Sequence, residues 1–214
     1  MMQVLINGFL QGILFGLIGV AFALVYRTTK VFHLALGGIY VLAPFLLLSA
    51  IKFNMPITIG ILLALIVPVI LGLLAEEIMH WPLSKKRAPQ EIHLISSLGG
   101  YLVLVQTIVL IWGNETQTLR QGIDTVWRVA NVTLSRSQIG GPLLATVTAG
   151  VLFVWLERAN RGLELRALAD NQILEALLGR NMRALRRIVF ALSACLAAIA
   201  SLGLTDLIGI GLLR

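Results

Sequence analysis

The stretch Val4 to Val25, VLINGFLQGILFGLIGVAFALV, decides how this sequence folds. It carries no charge, and a helix needs about 20 predominantly apolar residues to cross the hydrocarbon of a bilayer. Uncharged runs of similar length recur at Val31–Ile51, Pro56–Ala75, Leu94–Gly113 and Gln138–Leu156. A further apolar run, Ile188 to Leu213, holds one acid, Asp206. A soluble core helix is shorter and keeps a polar face. Composition agrees, with 58% hydrophobic and 13% charged residues and a mean hydropathy of +0.91. The expected fold class is all-α, a polytopic transmembrane helical bundle of five to six spans. These are placed at about 4–25, 31–51, 56–75, 94–113, 138–156 and 188–213, in one membrane domain over residues 1–214.

A net charge of +7 would suit nucleic acid, but the basic residues lie in interspan loops, where positive charge sets topology. With the N-terminus outside, the inner loops 26–30, 76–93 and 157–187 hold twelve Lys and Arg. The outer segments hold four: Lys52, Arg120, Arg128 and Arg136. This bias predicts an outside N-terminus, a cytoplasmic loop at 157–187, and no nucleic-acid partner. The first run is read as a retained span, because no basic residue precedes it and no small-residue cleavage pattern closes it. The segment 114–137 reads as an external cap or linker. The single cysteine, Cys195, has no intrachain partner.

Polar and small residues inside the runs are the candidate functional positions. Gly8, Gly12 and Gly16 recur one helical turn apart, so another helix can approach closely in lipid. Asn7 and Gln11 adjoin this stripe. Side-chain amides in a span need a protein or water partner, so the pair either seals a helix seam or lines a polar pathway. In the second span, Gly37, Gly38 and Pro44 predict a weakened or broken helix, as does Ser96 to Tyr101 in the fourth. His33, at the edge of the second span, is either an interfacial residue or part of the pathway.

Between the last two spans, Leu165, Leu168, Ala169, Ile173, Ala176 and Leu177 form one stripe of a helix predicted from Leu163 to Leu178. Asp170, Asn171 and Glu175 take the remaining surface, and Gly179 offers a stop. Arg183, Arg186 and Arg187 follow. Such a helix lies on anionic headgroups or docks on a partner protein.

No GxxxxGK[ST] phosphate loop is present, so ATP hydrolysis by that device is not expected. His33, His80 and His93 are dispersed, with no zinc-ligand spacing. No metal, no cofactor and no enzyme activity are expected.

Several stretches resemble permeases of branched-chain amino-acid ABC importers, of the LivH type. They are Asn7 to Gly12, Ala23 to Arg27, the surroundings of Ala35, Gly37 and Tyr40, Trp81-Pro82-Leu83 with its basic cluster, and Leu94 to Gly99. The most specific is Arg161 to Asn171 through Leu178-Gly179, followed by Phe190 to Ala200. The resemblance implies a permease subunit in the cell membrane, forming part of a path for branched-chain amino acids or a related small polar solute. It implies ATP-binding cassette subunits, a second permease subunit and an extracytoplasmic solute-binding protein as partners, alongside the lipid bilayer. It makes Leu163 to Gly179 the element that couples ATP-driven closure to the spans. Where the family pattern has asparagine and then histidine before the glycine, this sequence reads His33 and Leu36. The sequence stops short of the family's glycine-rich final spans. The alternative expectation is a truncated, non-transporting membrane scaffold or inactive paralogue.

Overall fold

The computed structural model describes residues 1–114, 126–129, 132–171 and 179–208. Among these, six helices are long and apolar enough to cross a membrane. Span 1 is α1 (Met2–Thr29) and span 2 is α2 (Ala35–Lys52). Span 3 is α3 (Ile57–Leu74), which continues through a π-helical segment (Ala75–His80) into α4 (Trp81–Lys85). Span 4 is α5 (Gln90–Trp112), span 5 is α6 (Arg136–Arg158), and span 6 is α8 (Met182–Ile208). The short α7 (Asn160–Asp170) joins spans 5 and 6.

The bundle is built around α8, which packs on α1, α2, α3 and α6. Its sequence allows this. Ser193, Ala194, Ala197, Ala198, Ala200 and Ser201 are all buried, and small side chains let helices approach where lipid removes the hydrophobic drive to associate. At the α3 crossing, a Cβ on Gly72 would stand 2.8 Å from Ala194 Cβ and 3.0 Å from the Phe190 carbonyl oxygen. At the α6 crossing, Gly141 meets the backbone of Gly203. The outward faces of α3 and α5 present Ile66, Ile70, Val103 and Leu110, as lipid-facing surfaces require.

The expected breaks are absent from the second and fourth spans. Helix α2 runs unbroken through Gly37, Gly38 and Pro44, because its glycines serve a close crossing with α5. A Cβ on Gly38 would lie 2.9 Å from Leu104 Cβ, and one on Gly37 would lie 3.3 Å from the Tyr101 ring. Helix α5 likewise runs through Ser96 to Tyr101. Ser97 is buried there, and its Oγ accepts the Ala35 N–H at 3.0 Å. That bond satisfies one of the donors left free at the start of α2.

Three boundaries also move. Span 3 extends to Lys85, so most of the expected loop at 76–93 is helical and residues 86–89 make the turn. The reason is internal: Glu76 finds a guanidinium partner within the bundle and has no need of water. The linker at 114–137 contains an antiparallel two-stranded ribbon, β1 (Val126–Val129) and β2 (Val132–Ser135), with Val126 opposite Ser135. The loop helix expected through Leu178 stops at Asp170, where Asn171 turns to extended backbone. Ile173, Glu175 and Leu177 lie outside the described residues.

Candidate functional site

The densest polar chemistry sits at the end of the bundle where α1 finishes and α8 begins, the arginine-rich end. The π segment carries Glu76, Glu77 and His80. Single π turns inside α-helices re-aim side chains and are frequent at functional sites. Glu76 and His80 are both fully buried, while Glu77 reaches the surface. Glu76 takes two hydrogen bonds from Arg186 of α8, with Nη2 to Oε2 at 3.1 Å and Nε to Oε1 shorter. Glu77 pairs with Arg183 and Arg187 at the exposed rim, and Arg183 also lies over the Trp81 ring. The three arginines, spaced to face one way, therefore clamp span 6 to span 3. They are not free for headgroups in the way the sequence pattern allowed.

Beneath this pair the three histidines converge. Nδ1 of His33 lies 3.1 Å from Nε2 of His80, and Nδ1 of His80 lies 3.3 Å from Nδ1 of His93. Phe190, one turn beyond Arg186 on α8, places its ring 4.8 Å from that of His33 and 5.3 Å from that of His80. His33 sits between the first two spans, and burial pushes its imidazole down to about 4. The rings touch through different nitrogens of His80. Among the described residues, no group of three or more His, Cys, Asp or Glu takes a metal-holding arrangement.

The residues singled out in the sequence do not assemble into one site. Asn7 and Gln11 lie in the first half of α1, about 33 Å and about 27 Å along the helix from Thr29. Both are half-buried, and the Asn7 amide oxygen accepts from Gln3 Nε2 at 3.2 Å, one turn away. Among the described residues, no other helix packs on the glycine stripe. Nothing lies within 4 Å of a Cβ built on Gly8, Gly12 or Gly16. His33 is at the arginine-rich end, and Gly37 and Gly38 are taken up by the α5 crossing.

The loop element divides sharply. Leu165 and Leu168 are each 1% exposed and pack with Val25, Leu185, Val189 and Phe190 in the subunit's own core. Ala169 is half-buried, whereas Asp170, Asn171 and Gly179 are exposed, as is Leu163. Glu164 bridges Arg161 and Arg180, each at 3.0 Å, tying the start of α7 to the segment before α8. A cleft of about 470 Å3 opens between α1, α6 and α7, with Val20, Leu24 and Phe153 on its walls and Arg27, Glu157 and Arg166 among its charged groups. None of the expected pathway residues lines it.

Sequence reasoning missed Glu76, Glu77, His80, His93 and the pairing role of Arg186. The available signal was complementary: two adjacent acids, Glu76 and Glu77, at the start of a loop with three basic residues, and three arginines on one face of a later helix.

A family model described as the permease component of the branched-chain amino acid transport system matches residues 4–208. The chain is 23% identical over 225 residues to the high-affinity branched-chain amino acid transport system permease protein LivH of Salmonella typhimurium, an alignment covering 98% of this chain and 72% of that protein. It is 24% identical to LivH of Escherichia coli K12 over the same shares, and 25% identical to BraD of Pseudomonas aeruginosa over 94% of this chain and 69% of BraD. No solved structure matches the chain. With six apolar helices long enough to cross a membrane and a family match over nearly its whole length, the chain belongs to the branched-chain amino acid transport permease family.

Proposed function

We infer that this permease subunit forms part of the path by which an ATP-driven importer carries branched-chain amino acids or a related small polar solute. The observation that carries the reading is the family match over residues 4–208, on a chain whose described helices supply six spans. Separate ATP-binding cassette subunits supply the hydrolysis, an extracytoplasmic solute-binding protein delivers the solute, and a second permease subunit completes the path. The N-terminus lies outside and the arginine-rich end faces the cytoplasm of a cell membrane, in keeping with the loop charges.

Two features support the partner surfaces. Helix α7 exposes Leu163, Arg166 and Asp170 while turning Leu165 and Leu168 inward, which suits docking of an ATP-binding subunit on that outer face. The open face of α1, with Gly8, Gly12 and Gly16 beside exposed Phe9 and Phe15, suits a span of the second permease. Asn7 and Gln11 stand next to that face, where a shared path would run.

Gentle detergent extraction from native membranes, followed by mass spectrometry of what co-purifies, tests the reading. Recovery with an ATP-binding cassette protein and a second permease is expected. Recovery of the chain alone, from membranes where a control importer stays assembled, would overturn it. So would solute uptake that survives ATP depletion and follows the proton or sodium gradient.

A further inference from the structure

The chain has three histidines in 214 residues, and all three meet although 47 and 13 residues separate the touching pairs. Four elements converge on them. His33 comes from the junction of spans 1 and 2, His80 from the π segment, His93 from the first turn of α5, and the Phe190 ring from α8. The histidines are 1%, 0% and 5% exposed.

The contacts restrict how many protons the cluster holds. Each nitrogen–nitrogen contact needs one proton, since two facing N–H groups repel and two facing lone pairs leave no bond. Three neutral imidazoles satisfy both contacts with the bonds running either from His93 to His33 or the reverse. One added proton is accommodated by protonating the outermost nitrogens of both His33 and His93, with the charge shared along the chain. A second added proton forces one N–H against another. Opened to water, each ring takes a proton independently. The joined cluster therefore binds at least two protons fewer than the opened one once the pH is well below the ordinary histidine value of about 6.5. Linkage then shifts the equilibrium towards opening by about a hundredfold per pH unit.

The surrounding charged groups do not relieve this. Glu76 is already paired with Arg186, whose guanidinium is buried one turn from Phe190. Glu77, Arg183 and Arg187 form the exposed rim cluster. Lys30 is exposed at the end of α1, and from α5 the facing group is the Ser97 hydroxyl, which holds the Ala35 N–H.

We propose that the His33–His80–His93 chain is a proton-sensitive latch. It joins the span 1–2 junction and the start of span 4 to the π segment while its imidazoles are neutral, and it releases them when protons enter from the arginine-rich end, with the arginines still holding span 6 on span 3. The latch requires nothing of the solute or the partner subunits.

The test is a nuclear magnetic resonance titration of the full chain in lipid nanodiscs with isotope-labelled histidine imidazoles, from about pH 8 to about pH 4. Only three rings contribute. The expected result is neutral rings near pH 6.5, then one steep joint transition at lower pH. Three independent one-proton titrations near the ordinary value would overturn the latch. His80→Phe keeps a ring and removes both nitrogens, so His33 and His93 should then titrate separately; continued joint titration would also overturn it. Spin labels at Lys30→Cys and Arg87→Cys, with Cys195→Ser, report opening. Their separation should lengthen within the joint transition, and a constant distance would mean that protonation releases nothing.

Discussion

At the arginine-rich end, Glu76, Arg186, His33, His80, His93 and Ser97 all find partners inside the chain, whereas the early turns of α1 present Gly8, Gly12, Phe9 and Phe15 to an open face. Both regions carry residues that a bilayer tolerates poorly or uses for contact. In the first, polar groups are expensive in lipid unless matched, and matching them fixes four elements against one another. In the second, small residues create room that no described residue fills. A polar cluster thus marks where the subunit closes on itself, and the glycine stripe is where the proposed second permease would pack.

The largest effect tests the closed region. Leu168→Glu places a carboxylate in the core beside Val25 and Phe190, and the cost of an unpaired buried charge is several kcal/mol. Folded, monodisperse protein should be lost on extraction, whereas Leu163→Glu on the exposed face of α7 should leave the yield unchanged. Equal recovery of the two variants would mean that the two faces of α7 are assigned the wrong way round.

Glycine substitutions sharpen the comparison directly. Gly72→Leu drives a side chain into Ala194 and the Phe190 backbone, where overpacking costs about 1–3 kcal/mol. Gly12→Leu meets nothing among the described residues, and leucine is a better helix former than glycine. Thermal unfolding of the isolated subunit should therefore drop for Gly72→Leu and hold for Gly12→Leu. Association with a second permease should respond in the opposite sense.

Acid should act on one region only. His33, held at about 4 when buried, takes up protons more readily when the end opens. Its contribution to stability is complete above the ordinary value of about 6.5 and is lost as the pH falls from there towards 4. Unfolding temperatures measured across that interval should fall in wild type and fall less steeply in His33→Leu, where only the His80–His93 contact remains. The smallest effect is at the rim. Glu77→Gln removes exposed pairs with Arg183 and Arg187 that water screens, and no measurable change in the unfolding midpoint is expected.

The contrast also explains what could be read from sequence. The apolar runs announce themselves because a span is a local property, and all six correspond to helices in the structure. The end of span 3 was hidden because Glu76 resembles a loop residue until Arg186, 110 residues later, is placed against it. The breaks expected at Gly37, Gly38 and Pro44 and at Ser96 to Tyr101 follow from propensity alone, and packing of the glycines against Tyr101, Leu104 and Met79 overrides it. The histidines leave no local pattern, because their contacts span 47 and 13 residues. The stripe of α7 was legible as amphipathic, but pattern does not say whether Leu165 and Leu168 face a partner or their own bundle.

The most direct measurement is a double-mutant cycle across the Glu76–Arg186 pair, with Glu76→Leu, Arg186→Leu and both together, read as unfolding free energy in nanodiscs. Each single variant strands a buried charge and should lose about 3–5 kcal/mol, while the double variant should recover most of that loss. Losses that simply add in the double variant would show that the two residues do not meet, and that span 3 and span 6 are not clamped at this end.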